Sequence, residues 1–209
     1  MKKWVVVAVL ALFAGTATAQ QQLPPGGKEF KDGETAFKKK DWDAAITNFE
    51  AAVGASDTLY ASYYYLGWAY QNKRDFAKSA ESFGNYLEKA PNDPDSEDMV
   101  AAATRQGGIA YARGSQFDQA IPLLNKAAEA KPNDAEVQFF LGMSHLKSGD
   151  AETAEGHFNK VNQLQPNLDL AWYYAGYIAY DNKNWSAAKE RLSKYIELKP
   201  NGSFAGDAH

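Results

Sequence analysis

Gly33, Gly67, Gly108, Gly142 and Gly176 recur at steps of 34, 41, 34 and 34 residues. With these glycines at position 8 of a 34-residue frame, position 24 reads Phe49, Phe83, Leu124, Phe158 and Leu192, and position 20 reads Ala45, Ser79, Ala120, Ala154 and Ala188. Position 17 is Trp42, Phe76, Phe117, Ala151 and Trp185, and position 32 is Asp57, Pro91, Pro132, Pro166 and Pro200. Small residues stand where two backbones must approach, and large apolar ones fill the space between them. Each period therefore reads as two antiparallel helices, the second stopped by a proline that cannot continue the hydrogen-bond ladder.

The pattern resembles the tetratricopeptide repeat, with its 34-residue period and its Trp, Leu-Gly, Tyr, Ala, Phe and Pro positions. The second period carries the resemblance best, through Tyr63, Leu66-Gly67, Tyr70, Phe76, Phe83, Leu87 and Pro91. The resemblance implies an all-α right-handed superhelix, an α-solenoid of five helix-turn-helix units. These fall at about 26–59, 60–93, 101–134, 135–168 and 169–202, within one domain spanning 28–202. The first unit departs from the pattern, with Asp57 at position 32 and a polar first helix around Lys28-Glu29-Phe30-Lys31-Asp32. Such a surface suits a terminal cap that faces water. Tyr86, Val161 and Tyr195 stand at position 27, where the family usually has alanine.

Seven additional residues, Pro94 to Val100, separate the second and third units. Seven residues make about two helical turns, so a helix starting near Asp95 or Ser96 absorbs them in phase. Asp95, Glu97 and Asp98 then lie at the positive end of that helix. Together with Asp93 they do not form a calcium loop of the EF-hand kind, whose glycine and closing glutamate are missing.

Residues 1–19 read as a secretory signal: Lys2-Lys3, an apolar run from Trp4 to Ala14, and Ala17-Thr18-Ala19 as the cleavage site. The apolar run is too short for a spanning helix, and no later segment is long enough for one. Cleavage after Ala19 leaves a flexible leader, residues 20–27, and a periplasmic or secreted protein. The chain has no cysteine, so neither a disulfide nor thiolate chemistry contributes. Without Lys2 and Lys3 the balance is 20 basic against 26 acidic residues, and the basic stripe expected of a nucleic-acid binder is absent.

In the resembled family the first helix of each repeat lines a concave surface at positions 2, 5, 9, 12 and 13. Applied here, this implies a partner-binding groove of Tyr64, Trp68, Arg105, Ile109, Arg113, Phe139, Met143, Tyr173 and Tyr177. Tyrosine, tryptophan and methionine at such positions provide apolar contact, and the two arginines would orient a carboxylate or backbone carbonyls. The family's carboxylate clamp, built on Lys and Asn, finds Phe30 and Glu34, or Tyr64 and Trp68, in its places.

Of the three histidines, His145 takes a core position, His157 sits beside Phe158 and His209 lies at the C-terminal end of the sequence. No metal-binding spacing, phosphate loop or nucleophile with a base occurs, so no catalytic residue, metal or cofactor is expected. The tail 203–209 is too short and glycine-rich for a full cap; Phe204 folds back over the last helix, or that face docks on another copy or a partner. The expected function is a non-enzymatic protein–protein interaction module or scaffold of the bacterial envelope that binds a partner segment in the groove. Glycan or small-ligand binding in the same groove, and self-assembly through the last helix, are the alternatives.

Overall fold

The computed structural model describes residues 23–91 and 94–208. The proposed signal, the first residues of the leader, Asp93 and His209 lie outside them. Among the described residues there are eleven α-helices: α1 (Gly27–Lys38), α2 (Trp42–Ala55), α3 (Ala61–Asn72), α4 (Phe76–Lys89), α5 (Glu97–Arg113), α6 (Phe117–Ala130), α7 (Ala135–Lys147), α8 (Ala151–Leu164), α9 (Asp169–Asp181), α10 (Trp185–Leu198) and α11 (Ala205–Ala208). A short 3₁₀ turn, Asp57–Leu59, precedes α3. The chain forms two compact units, one up to Ala103 and one from Thr104.

The glycine register has a direct steric cause. A Cβ added to Gly33, Gly67 or Gly142 would lie 2.8, 2.7 or 2.9 Å from the ring of Phe49, Phe83 or Phe158. At Gly108 and Gly176 it would meet Leu124 at 2.9 Å and Leu192 at 2.8 Å. Position 8 of each first helix is therefore pressed against position 24 of its own second helix, and only glycine leaves room.

The turn inside each hairpin is equally regular. Lys40, Arg74, Ser115, Gly149 and Lys183 all have φ between 60° and 89°. This left-handed residue reverses the chain, and the next residue donates its N–H to a carbonyl five positions back: Asp41 to Ala36, Asp75 to Tyr70, Gln116 to Tyr111, Asp150 to His145 and Asn184 to Ala179. The side chains of Asp41, Asp75, Asp150 and Asn184 then cap the second helices by accepting the N–H of Ala44, Lys78, Thr153 and Ala187. Gln116 caps α6 without a side-chain bond.

In the first unit one cluster joins α1, α2 and α3 through Ala36, Ala45, Phe49, Leu66 and Tyr70. A second gathers Phe83, Tyr86 and Ala103. In the second unit, Ile109, Leu124, Val137 and Leu141 form one cluster, and Phe158, Val161, Ala171 and Ile178 another. α3, α7 and α9 thus each pack on their own second helix and on the one before it. α5 is 17 residues long, against 12 to 14 for α1 to α4 and α6 to α10. Its first four residues, Glu97 to Val100, belong to the seven extra ones.

Candidate partner-binding surfaces

In the first unit the residues of interest project from α3. Tyr64 and Trp68 are half-buried, one turn apart, with ring centroids 6.4 Å from each other. Phe83 lies 6.1 Å from Tyr64 and 5.9 Å from Trp68, and Tyr86 lies 5.4 Å from Tyr64. Burial raises the Tyr64 phenol, and a hydrogen bond with Trp68 partly offsets it. Both rings pack on the cluster around Phe83 and Tyr86 and keep part of their surface exposed.

In the second unit α5, α7 and α9 carry the other seven positions. Phe139 and Met143 of α7 are half-buried, with Phe139 5.8 Å from Phe158 and 6.3 Å from Tyr174. Tyr177 of α9 is 49% exposed. These three present apolar surface to solvent on first helices.

Three expectations need correction. Ile109 is fully buried, enclosed by Leu124, Val137 and Leu141, and cannot touch a partner. Tyr173 is buried too, because Phe204 folds back and stacks on it at 4.3 Å with an interplanar angle of 18°. The Phe204 N–H also donates to the Tyr195 hydroxyl at 3.2 Å. Arg105, finally, already has its carboxylates. Its Nε and one Nη bond Asp134 at 2.7 and 3.2 Å, and that Nη reaches Glu136 at 2.7 Å.

Asp134 simultaneously caps α7 by accepting the N–H groups of Glu136 and Val137. The Arg105 guanidinium holds the Asp134 carboxyl below its ordinary range, helped by those two backbone bonds. Arg105 thus braces the start of α7 from α5. Arg113 is more exposed; it reaches Glu136 at 3.5 Å and lies 5.1 Å above the Phe140 ring.

Two aromatic residues outside the expected set stand out. Tyr180 and Trp185 are 57% and 58% exposed, more than any other large apolar residue described, and meet edge to face at 5.4 Å. They occupy positions 12 and 17 of the fifth unit. Their signal in the sequence was the register itself, which puts Tyr180 among the first-helix groove positions.

His145 and His157 form a chain with Asp150 and Gln138. The His145 and His157 rings stack at 5.6 Å, with Asp150 3.2 Å from His145 Nδ1. Gln138 donates its amide N–H to the Pro132 carbonyl, so its Oε1 accepts from His157 Nδ1 at 2.7 Å. Among the described residues no group of three or more His, Cys, Asp or Glu could hold a metal ion. Among the same residues no helix is long and apolar enough to cross a membrane.

Helical hairpins repeated in one register, with aromatic side chains on their first helices, define a helical-repeat protein of the interaction type. The Tetratricopeptide repeat family matches residues 30–95 and 105–169, and the chain belongs to that family. Solved structures agree on the fold. The TPR protein YrrB, described as having an unusual peptide-binding site, is 22% identical, covers 86% of this chain and 89% of its own, and has a TM-score of 0.72. MamA AMB-1 is 23% identical, with coverage of 85% and 93% and a TM-score of 0.69. MamA from Desulfovibrio magneticus RS-1 is 18% identical, with coverage of 85% and 97% and a TM-score of 0.68. No curated protein matches the sequence. At these identities the structures establish the tetratricopeptide solenoid fold, which supports a protein–protein interaction scaffold.

Proposed function

We propose that this protein is a scaffold of the bacterial cell envelope that holds a segment of another envelope protein against its first helices. Tyr64 and Trp68 supply apolar contact in one unit, and Phe139, Met143 and Tyr177 supply it in the other. The observation that carries the reading is the partial exposure of these large side chains, all at positions 5 and 9, which rest on the core with one part and reach solvent with another. Tyrosine, tryptophan and methionine dominate binding surfaces because each offers a large contact area with little ordering cost. Arg113 adds a cationic edge beside Phe140.

Export rests on the first nineteen residues, whose charged, apolar and small-residue segments have the order of a secretory signal. The envelope protein recovered from cells should begin at Gln20, as read by N-terminal sequencing.

Binding is tested by partner capture from the native envelope. Trp68→Ala and Tyr177→Ala should each reduce recovery of the captured protein at least about tenfold, the effect of losing one aromatic anchor. Helical content measured by circular dichroism should stay unchanged. Full capture by both variants would contradict the proposal.

A further inference from the structure

The hairpin turns of the two units differ in charge. At positions 13 to 19 the first two hairpins, residues 38–44 and 72–78, carry six cations against three carboxylates. The same positions of the other three, residues 113–119, 147–153 and 181–187, carry three against four. Lys38, Lys39, Lys40, Lys73, Arg74 and Lys78 are all exposed. Lys73 Nζ donates to Asp43 at 2.7 Å, which sets the two turns side by side on one edge of the first unit. The acidic balance of the whole sequence conceals this edge.

The three carboxylates are already engaged. Asp41 and Asp75 cap α2 and α4, and Asp43 holds Lys73. Lys38, Lys39, Lys40 and Arg74 form no ion pair among the described residues. Charge of the opposite sign gathers at the far ends of the same hairpins, where Asp57, Asp95, Glu97 and Asp98 are exposed.

Two of the cations stand where the backbone favours glycine. Lys40 and Arg74 have φ of 60° and 62°, strained for a residue with a Cβ, whereas Gly149 closes the fourth hairpin at 89°. Stability alone would favour glycine there, and the turn itself gives no reason for a cation.

We infer that this edge docks the first unit onto an anionic phospholipid surface, at a site distinct from the first-helix aromatics and independent of the partner proposed for them. The charge separation turns the unit end-on, with its cations toward the headgroups and its acids away from them. Five of the six cations are lysines, point charges on flexible stems that suit a diffuse array of phosphates better than one fixed carboxylate. Trp42, half-buried two residues after Lys40, is of the type enriched at lipid–water interfaces. Each cation brought close to such a surface strengthens binding about fivefold.

The test is flotation of the full chain with vesicles of phosphatidylcholine, alone or with phosphatidylglycerol at about one part in three. The zwitterionic vesicles account for whatever the apolar run Trp4 to Ala14 contributes. Phosphatidylglycerol should strengthen binding at least about tenfold, and added salt should reverse the gain. Lys40→Gly combined with Arg74→Gly should remove at least about tenfold of binding to the mixed vesicles without lowering the melting temperature. Lys126→Gln combined with Lys189→Gln, an equal loss of charge at exposed sites of the second unit, should leave binding unchanged. No gain from phosphatidylglycerol would overturn the inference, as would full binding by the glycine variant or equal losses in the two variants. Saturable binding of fluorescein-labelled polyglutamate that the glycine variant loses, with no gain from phosphatidylglycerol, would assign the edge to an acidic polypeptide and overturn the lipid assignment.

Discussion

The pairs Phe37–Trp42 and Tyr180–Trp185 are built alike and used differently. Their ring centroids are 5.3 and 5.4 Å apart and their planes cross at 78° and 76°. The hairpin turn fixes this geometry, because Lys40 and Lys183 take the same left-handed conformation with φ of 60° in both cases. Tyr65 lies against Phe37 of the first pair and completes a core, whereas the second pair stays exposed. Whether an aromatic pair is enclosed or exposed thus depends on what packs over it, not on the hairpin that carries it.

Breaking the cover should have the largest effect. Tyr65→Ala removes a ring packed on Phe30, Phe37 and Phe49 and should cost about 3 kcal/mol, within the range for truncating a large packed aromatic. Tyr180→Ala, at a residue 57% exposed, should change stability by less than about 0.5 kcal/mol. Urea unfolding of the two variants measures the contrast directly. Equal losses would erase it.

The glycine register offers a second comparison, between the interior and the last hairpin. Gly67→Ala drives a methyl into the fully buried Phe83 ring and should cost about 2 kcal/mol. Gly176→Ala meets the half-buried, more adaptable Leu192 and should cost roughly half as much. Thermal melts of both variants would sharpen or refute this ordering.

A smaller effect separates the hairpins by pH. Burial lowers the His157 pKa from its usual 6.5, and the neighbouring His145 and Lys160 lower it further, against an opposing pull from Asp150. The folded protein therefore resists protonation at a pH where the unfolded chain accepts it. Stability contributed by neutral His157 is complete above the unfolded value and falls as pH drops through the folded one. His157→Gln should flatten the stability profile below about pH 6.5, whereas a profile identical to that of the parent protein would contradict this role.

The hairpin repeat was readable because a missing side chain recurs at one position, and a steric exclusion leaves an unambiguous mark in sequence. Aromatics at positions 5 and 9 were readable for the same reason, once the frame was counted from Gly67, Gly142 and Gly176. The left-handed turns were less legible, since Lys40, Arg74 and Lys183 give no sign of a positive φ; glycine appears there only at Gly149. Ile109 was misjudged because a helix face is shared between solvent and two neighbours, and periodicity alone does not tell them apart. The arginine pairs were hidden by sequence distance: Asp134 lies 29 residues from Arg105, and only the fold brings them together. Tyr173 was lost to a single tail residue, Phe204, whose return the sequence allowed without requiring.

The contrast between the two aromatic pairs is tested most directly by acrylamide quenching of single-tryptophan variants that retain Trp42 or Trp185, with every other tryptophan replaced by phenylalanine. Trp185 fluorescence should be quenched severalfold more strongly than that of Trp42. Equal quenching of the two residues would contradict the account.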